Sequence, residues 1–170
     1  MAVSAPVEPH EPVINKSADR PLTPAERQLL PPPLASAIDL DAVRILARWH
    51  TLLAMMLKVT VVRGHRIFWW NAPAEATSVS ERAHLAHELV HVWQYKALRR
   101  TGLEILASRR YAYELDRAKP FLAYGHEQQA SIVKDYVRLK EGVRPRHAGE
   151  QVPLLADYER VIASAAGVRR

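Results

Sequence analysis

One short run of histidines and acids constrains this chain more than any other part of its sequence. The run is His84-Leu-Ala-His87-Glu88-Leu-Val-His91-Val-Trp-Gln94. On an α-helix, positions 87 and 91 lie one turn apart on the same face, about 6 Å along the axis. Two imidazoles at this spacing can bind one metal ion, and Glu88 can then reach a water molecule bound to that ion. The pattern therefore predicts a metal site with Glu88 as general base.

The residues around this run are typical of a helix. Ser78 is followed three positions later by Glu81, which is the signature of a capping box. No Gly or Pro occurs from there to Arg100, and apolar residues recur every three or four positions. We therefore predict an amphipathic helix over about 79–100.

The amino-acid composition restricts which metal ligands are available. The chain has 170 residues, of which 48% are hydrophobic and 25% charged, and it contains no cysteine. This length suits one domain with one sizeable core. Without thiolates, a zinc ion has to be bound by histidine and carboxylate side chains. We accordingly predict Zn²⁺ as the cofactor.

A third metal ligand has to come from outside the helix that carries His87 and His91. A second helix is predicted from about 125 to 141, before Gly142. Glu127 lies 36 residues after His91, in the first turn of this helix, and the small Ala130 would let the two helices approach closely. We favour Glu127 as the third ligand.

Several other residues remain open as ligands. His126 is as suitable a metal ligand as Glu127 in chemical terms. Asp135 is a weaker candidate, because it is spaced to pair with Arg138 on the helix surface. Glu114, in the linker between the helices, is expected to be solvated or paired with a basic residue.

Other polar residues are candidates for supporting roles. His84 shares the helix face of His87 but lies about 10 Å from His91 along the axis, so we expect it at the edge of the cleft and not on the metal. If the metal-bound water attacks a substrate, a hydrogen-bond donor near the metal is also expected, because it stabilises the oxyanion that forms in the transition state. The candidates for that donor are Tyr113, Tyr124, His126 and Tyr136. The spacing of His10, His50, His65 and His147 suggests no site.

The distribution of prolines predicts how the chain is organised. Eight of the 12 prolines fall within residues 1–37, so residues 1–36 are predicted to be a disordered arm. Residues 37–142 are predicted to form the metal-binding domain, and 143–170 a basic extension with a short helix. Within the domain, Ile38–Ile45 is predicted as a strand. A hairpin is predicted from 59–62 and 66–70 around Gly64, with its second strand available to pair with an extended substrate.

Charge and hydropathy bear on partners and location. The net charge is +6, but the arginines are scattered and no nucleic-acid motif accompanies them, so nucleic-acid binding is not favoured. No apolar stretch is long enough to span a bilayer. The first 16 residues lack the apolar segment of a secretory signal. We therefore expect synthesis in the cytoplasm, with export by a specialised secretion system as the alternative.

Two segments carry a resemblance to a known group of proteins. His87-Glu-Leu-Val-His-Val-Trp-Gln94, followed by Glu127-Gln-Gln-Ala130, resembles the small bacterial metallopeptidase-like domains with an H-E-L-x-H-V-x-Q motif. Some of these domains are associated with Rhs/Vgr-type and contractile-injection secretion systems. More distantly, the segments resemble the gluzincin class of zinc peptidases. The resemblance covers about residues 37–142.

The resemblance implies both a fold and a function. The fold would be α+β and minimally zincin-like: a small β-element, an active-site helix and a second helix that supplies a glutamate. By this likeness His87, His91 and Glu127 bind zinc and Glu88 is the catalytic acid/base. The predicted function is zinc-dependent hydrolysis of a peptide or protein substrate. The alternative is a non-catalytic, zinc-stabilised module linked to a bacterial secretion system.

Overall fold

The computed structural model of the chain describes residues 19–98 and 110–166. In these ranges a four-stranded sheet and six α-helices form an α+β fold, which confirms the predicted class. The strands are β1 (Arg20–Pro21), β2 (Arg44–Leu46), β3 (Val61–Arg63) and β4 (Arg66–Phe68). The helices are α1 (Pro24–Arg27), α2 (Pro32–Ala35), α3 (Leu52–Leu57), α4 (Val79–Ala97), α5 (His126–Lys140) and α6 (Leu155–Ala163).

Helix α4 is the central element of the fold. It begins as predicted: Ser78 Oγ accepts a hydrogen bond from the Glu81 amide, and the Glu81 carboxylate accepts one from the Ser78 amide. From residue 85 to residue 94 every side chain is buried. A helix that is buried all round lies between two layers instead of on a surface. Here β3 and β4 pack on α4 from one direction and α5 packs along it from another.

The sheet has the order β1-β2-β4-β3, with β2 and β4 parallel and the outer pairs antiparallel. The predicted hairpin is present as β3 and β4, and Gly64 in its turn has φ +61°, a conformation that favours glycine. Strand β4 is hydrogen-bonded on both sides, so the prediction that it pairs with a substrate is wrong. Strand β3 lies at the edge of the sheet instead.

The strand predicted over Ile38–Ile45 is also largely wrong. The Asp39 side chain accepts hydrogen bonds from the amides of Asp41 and Ala42 and starts a 3₁₀ turn at Leu40–Ala42. A side chain that bonds to the backbone in this way competes with the sheet ladder. Of the predicted range, Arg44 and Ile45 lie in a strand, β2, which pairs with Arg66–Phe68.

The prediction of a disordered arm does not hold for residues 19–36, while residues 1–18 lie outside the described ranges. Strand β1 pairs with β2, and the side chains of Leu22, Leu30 and Leu34 belong to the main hydrophobic core. Pro24 and Pro32 each stand in the first turn of a helix, where a missing amide proton costs nothing.

A buried carboxylate fastens this segment to the rest of the fold. Glu26 accepts two hydrogen bonds from the Arg20 guanidinium, at 2.7 and 2.8 Å, and one each from the amides of Thr23 and Ala76, at 2.9 Å. Burial raises the pKa of Glu26, but these donors outweigh it and hold the pKa below its ordinary value.

The C-terminal region packs on the same core. Helix α6 confirms the predicted short helix, and its Tyr158, Val161 and Ile162 side chains are buried within the main core. The core therefore extends beyond the predicted limits of 37–142 on both sides. Within the described ranges, no helix is both long enough and apolar enough to cross a bilayer.

Candidate metal centre

Three side chains predicted as metal ligands meet at one point between α4 and α5. His87 Nε2 lies 3.2 Å from Glu127 Oε2, His91 Nε2 lies 3.4 Å from the same oxygen, and the two nitrogens are 3.1 Å apart. A tetrahedral ion with bonds of about 2.05 Å places its ligand atoms about 3.3 Å from one another. The three distances fit that spacing, so these residues can hold one metal ion.

The electrostatics of the three residues also suit a cation. Glu127 Oε2 is buried and receives no hydrogen bond of normal geometry, although both imidazoles face it. Burial raises the pKa of Glu127, but the two histidines outweigh it and lower the pKa strongly. Burial lowers the pKa of His87, whereas Glu127 and Glu88 raise that of His91 despite its burial. The group therefore favours one positive charge at its centre, which a proton or a metal ion can supply.

Gln94 orients one of the candidate ligands. Its Oε1 accepts a hydrogen bond from His91 Nδ1 at 2.8 Å, an assignment that follows because its Nε2 donates to two acceptors. Those acceptors are the backbone carbonyl of His126 and Gln129 Oε1, both at 2.9 Å, and Gln129 in turn donates to the Tyr124 carbonyl. With the proton on Nδ1, the Nε2 of a neutral His91 has a free lone pair that can bind a metal ion between it, His87 and Glu127.

The start of α5 places Glu127 next to α4. Gly125 is the residue before the helix, and its amide donates to Gln128 Oε1 at 3.0 Å, so the first turn is closed. Ala130, one turn after Glu127, is fully buried. Its small side chain allows α5 to pack closely on α4, as the sequence suggested.

Glu88 and His84 lie on the cleft side of α4. Glu88 is buried, and its Oε1 is 3.7 Å from His84 Nδ1. His84 Nε2 is within hydrogen-bonding distance of Thr60 Oγ1, at 3.0 Å, and the histidine ring packs edge-on against Trp69. Burial lowers the pKa of His84, which favours its neutral form. His84 therefore borders the cleft and lies outside the group of three ligands.

A cleft of about 720 Å³ opens above these residues. The candidate ligands and Glu88 line its floor, and α3 and β3 contribute an apolar side that includes Leu53 and Leu57. The lining also includes polar side chains of α5 and of the 146–147 loop. Tyr111 lies between the floor and this loop, because its ring is 6.2 Å from that of His87 and 6.0 Å from that of His147.

The residues predicted as oxyanion donors lie elsewhere. Tyr124 Oη accepts a hydrogen bond from the Asp116 amide at 2.8 Å, and Tyr113 Oη donates to the carboxylate of Asp135 at 3.0 Å. The ring of His126 is stacked on that of His91 at 5.0 Å. Neither these residues nor Tyr136 are among the residues that line the cleft.

The weaker ligand candidates also have other positions. Asp135 is fully buried and accepts hydrogen bonds from the amides of Arg146 and His147, at 2.8 and 2.7 Å. It therefore anchors a loop, and the expected surface pairing with Arg138 was wrong. Glu114 is exposed.

The cleft residues that were not identified from the sequence include Tyr111, Arg146 and His147. Their sequence positions give no periodic signal, because they reach the cleft through irregular segments.

Comparison with known proteins adds one structural similarity. No protein-family profile and no curated protein sequence matches the chain. Among solved structures, the chain resembles the effector domain of Pseudomonas aeruginosa VgrG2b, with a TM-score of 0.58 and 23% sequence identity. The alignment covers 75% of this chain and 78% of that one. At this level of identity the likeness establishes the fold, and the chain has the fold of that effector domain.

Proposed function

We propose that the chain is a zinc-dependent peptide hydrolase. The observation that carries this proposal is the meeting of His87, His91 and Glu127 on the floor of a cleft, with Glu88 beside them. Two histidines and one glutamate form a ligand set used by catalytic zinc, which keeps its fourth position for water. A purely structural zinc ion has four protein ligands and requires no acid next to it.

Each residue has a role in the proposed reaction. A zinc ion held by the three ligands would acidify a bound water molecule and polarise the scissile carbonyl. Glu88 accepts the proton of the attacking water and then passes it to the leaving amine. His84, 3.7 Å from Glu88, helps to position that carboxylate. Tyr111, whose ring lies 6.2 Å from that of His87, is our candidate for a donor to the oxyanion.

The edge of the sheet supports a peptide as the substrate. Strand β3 lies at the edge of the sheet, paired with β4 on one side, and its residues Val61, Val62 and Arg63 line the cleft. An extended peptide can add to such an edge through main-chain hydrogen bonds. This arrangement would lay the peptide across the floor of the cleft.

The fold supports a role outside the producing cell. The chain shares the fold of a protein described as an effector domain of VgrG2b. We therefore propose that it acts as an effector associated with a secretion system. The alternative, a zinc-stabilised module without catalysis, leaves the position of Glu88 beside the three ligands without a purpose.

Replacement of Glu88 distinguishes a zinc-dependent hydrolase from a non-catalytic, zinc-stabilised module. We expect Glu88→Gln to retain about one zinc per chain, because Glu88 is not a ligand, and to reduce peptide hydrolysis at least about 100-fold. Elemental analysis gives the metal content, and a library of quenched fluorescent peptides gives the activity. Glu159→Gln, an exposed substitution on α6, is the matched control and should keep both. If the wild type binds zinc and Glu88→Gln hydrolyses peptides equally fast, the proposed mechanism is refuted.

A further inference from the structure

One part of the cleft lining carries the two positive charges of Lys134 and Arg146. We call it the basic wall and define it as these two side chains together with His147, which also lines the cleft but is favoured as a neutral imidazole, because burial lowers its pKa. Lys134 is half-buried on α5, whereas Arg146 is exposed. Lys134 is also close enough to Glu88 and Arg146 for their charges to affect its pKa.

The cleft as a whole is short of negative charge. Its lining includes four Lys and Arg side chains but only two carboxylates, those of Glu88 and Glu127. Glu127 faces the two histidines, so its charge is compensated within the metal group. Burial lowers the pKa of Lys134, which means that its ammonium is partly stripped of water without a full counter-charge. A ligand that brings a carboxylate would supply that counter-charge.

The basic wall is built into the fold and is not a chance cluster of surface charges. The buried carboxylate of Asp135 accepts hydrogen bonds from the backbone amides of Arg146 and His147. These bonds fix the backbone of the loop. Asp135 follows Lys134 directly on α5, which joins the two parts of the wall. Tyr113 holds the same loop from the other side, through hydrogen bonds of its amide to the His147 carbonyl and of its carbonyl to the Gly149 amide.

We propose that the basic wall binds an acidic side chain of the peptide substrate. This inference rests on the proposed function, because it assumes that a peptide lies in the cleft. Lys134 lies two helical turns after Glu127, about 10 Å along α5. An extended peptide covers that length in about three residues. The preferred Asp or Glu therefore lies within about three residues of the bond that is cut.

The shape of the cleft favours an acidic peptide over a nucleic acid. A nucleic acid requires a row of basic groups along its phosphates, and single strands also require aromatic platforms. Here Lys134 and Arg146 lie close enough for their charges to interact, whereas the other two basic residues of the lining, Lys58 and Arg63, belong to the α3–β3 segment. The same segment contributes Leu53, Leu57 and Val61 to the lining. That arrangement suits one carboxylate together with neighbouring apolar side chains.

Equilibrium binding tests the inference without relying on turnover. The probes are fluorescein-labelled peptides that carry one Glu at successive positions, each paired with the peptide that has Gln there. Zinc-loaded Glu88→Gln protein is the host, so that no peptide is consumed. Anisotropy should show that at least one Glu peptide binds about tenfold more tightly than its Gln partner, because a hydrogen bond to a charged group is gained.

Variants of the basic wall then assign the preference to its residues. Adding Lys134→Gln or Arg146→Gln to the host should weaken binding of the Glu peptide about tenfold. The affinity for the Gln peptide should change less than about twofold. Lys140→Gln is the matched control, since it removes one positive charge from an exposed position on the same helix, outside the cleft. It should leave the Glu-to-Gln ratio unchanged.

Each outcome bears on the inference separately from the proposed function. The inference is overturned if the Glu and Gln peptides of every pair bind with equal affinity. It is also overturned if a preference for Glu survives both substitutions in the basic wall. A single-stranded oligonucleotide that binds more tightly than every peptide, and loses affinity in both variants, shows a nucleic-acid site and also overturns it. If Glu peptides bind through the wall but wild-type protein cleaves none of them, the inference stands and peptide hydrolysis fails.

Discussion

Replacing Gln94 tests whether a residue that touches no metal controls the metal site. Gln94→Met keeps the length of the side chain but removes the acceptor of His91 Nδ1 at 2.8 Å and the donor to His126 and Gln129. Without that acceptor, His91 loses its fixed tautomer and some of its basicity. Loss of such a partner lowers metal affinity about 10- to 100-fold, or about 1.4 to 2.7 kcal/mol. Two buried acceptors also lose their donor, which costs about 1 to 3 kcal/mol of stability each.

A second substitution separates metal affinity from folding. Gln94→Glu keeps an acceptor for His91 but loses the amide donor, so its stability should fall while its zinc affinity stays within a few-fold of wild type. Gln128→Met is the matched control: it removes a glutamine that closes the first turn of α5 and does not contact His91. Zinc affinity is measured by competition with a chromophoric chelator, at a temperature where circular dichroism shows each variant folded. If Gln94→Met binds zinc as tightly as wild type, the argument that Gln94 orients His91 is refuted.

Two further substitutions test the ligand set and the N-terminal segment. Glu127→Ala should lose most of its zinc in elemental analysis because only two imidazoles remain, whereas His126→Ala should retain it; the reverse result would move the third ligand to His126. Glu26→Gln should destabilise the fold by about 3 kcal/mol at neutral pH, because it breaks the buried pair with Arg20. The folded pKa of Glu26 lies below its ordinary value of 4.5, so this stabilisation is present above that pH and is lost as the pH falls through the folded pKa. In urea unfolding the gap between wild type and Glu26→Gln should therefore close in acid, and a gap that is constant with pH would contradict the assignment.

The parts of the fold that depend on local chemistry were predictable from the sequence. The Ser78 and Glu81 capping box predicts the start of α4, and helical spacing alone brings His87 and His91 to one face. Gly64 predicts the turn between β3 and β4 for a similar reason, since few other residues adopt its backbone conformation. The prediction of Glu127 as the third ligand required an assumption about how two helices pack together. The small Ala130 made that assumption reasonable.

Two regions were misjudged for physical reasons that can be named. The prolines before residue 37 suggested an extended arm, but Thr23, Pro24 and Glu26 together form a capping box with proline in the first turn, a helix signal in the sequence itself. The cleft residues Arg146 and His147 carry no comparable signal. Their place depends on hydrogen bonds to Asp135, which lies 11 and 12 residues earlier, and no helical or strand periodicity predicts such a contact.

Asp135 also ties the cleft to the last helix of the fold. Tyr113 donates to Asp135, and its hydroxyl lies 2.9 Å from that of Tyr158 on α6. Burial, followed by the charge of Asp135, raises the pKa of Tyr113 strongly, and burial raises that of Tyr158 to about 12 although its hydrogen bond with Tyr113 lowers it. Both hydroxyls therefore keep their protons, and the chain of hydrogen bonds persists over the ordinary pH range. Thermodynamic linkage then works in both directions. A ligand that binds only when the Arg146–His147 loop is in place stabilises the docking of α6, and any loosening of α6 reduces the affinity for that ligand.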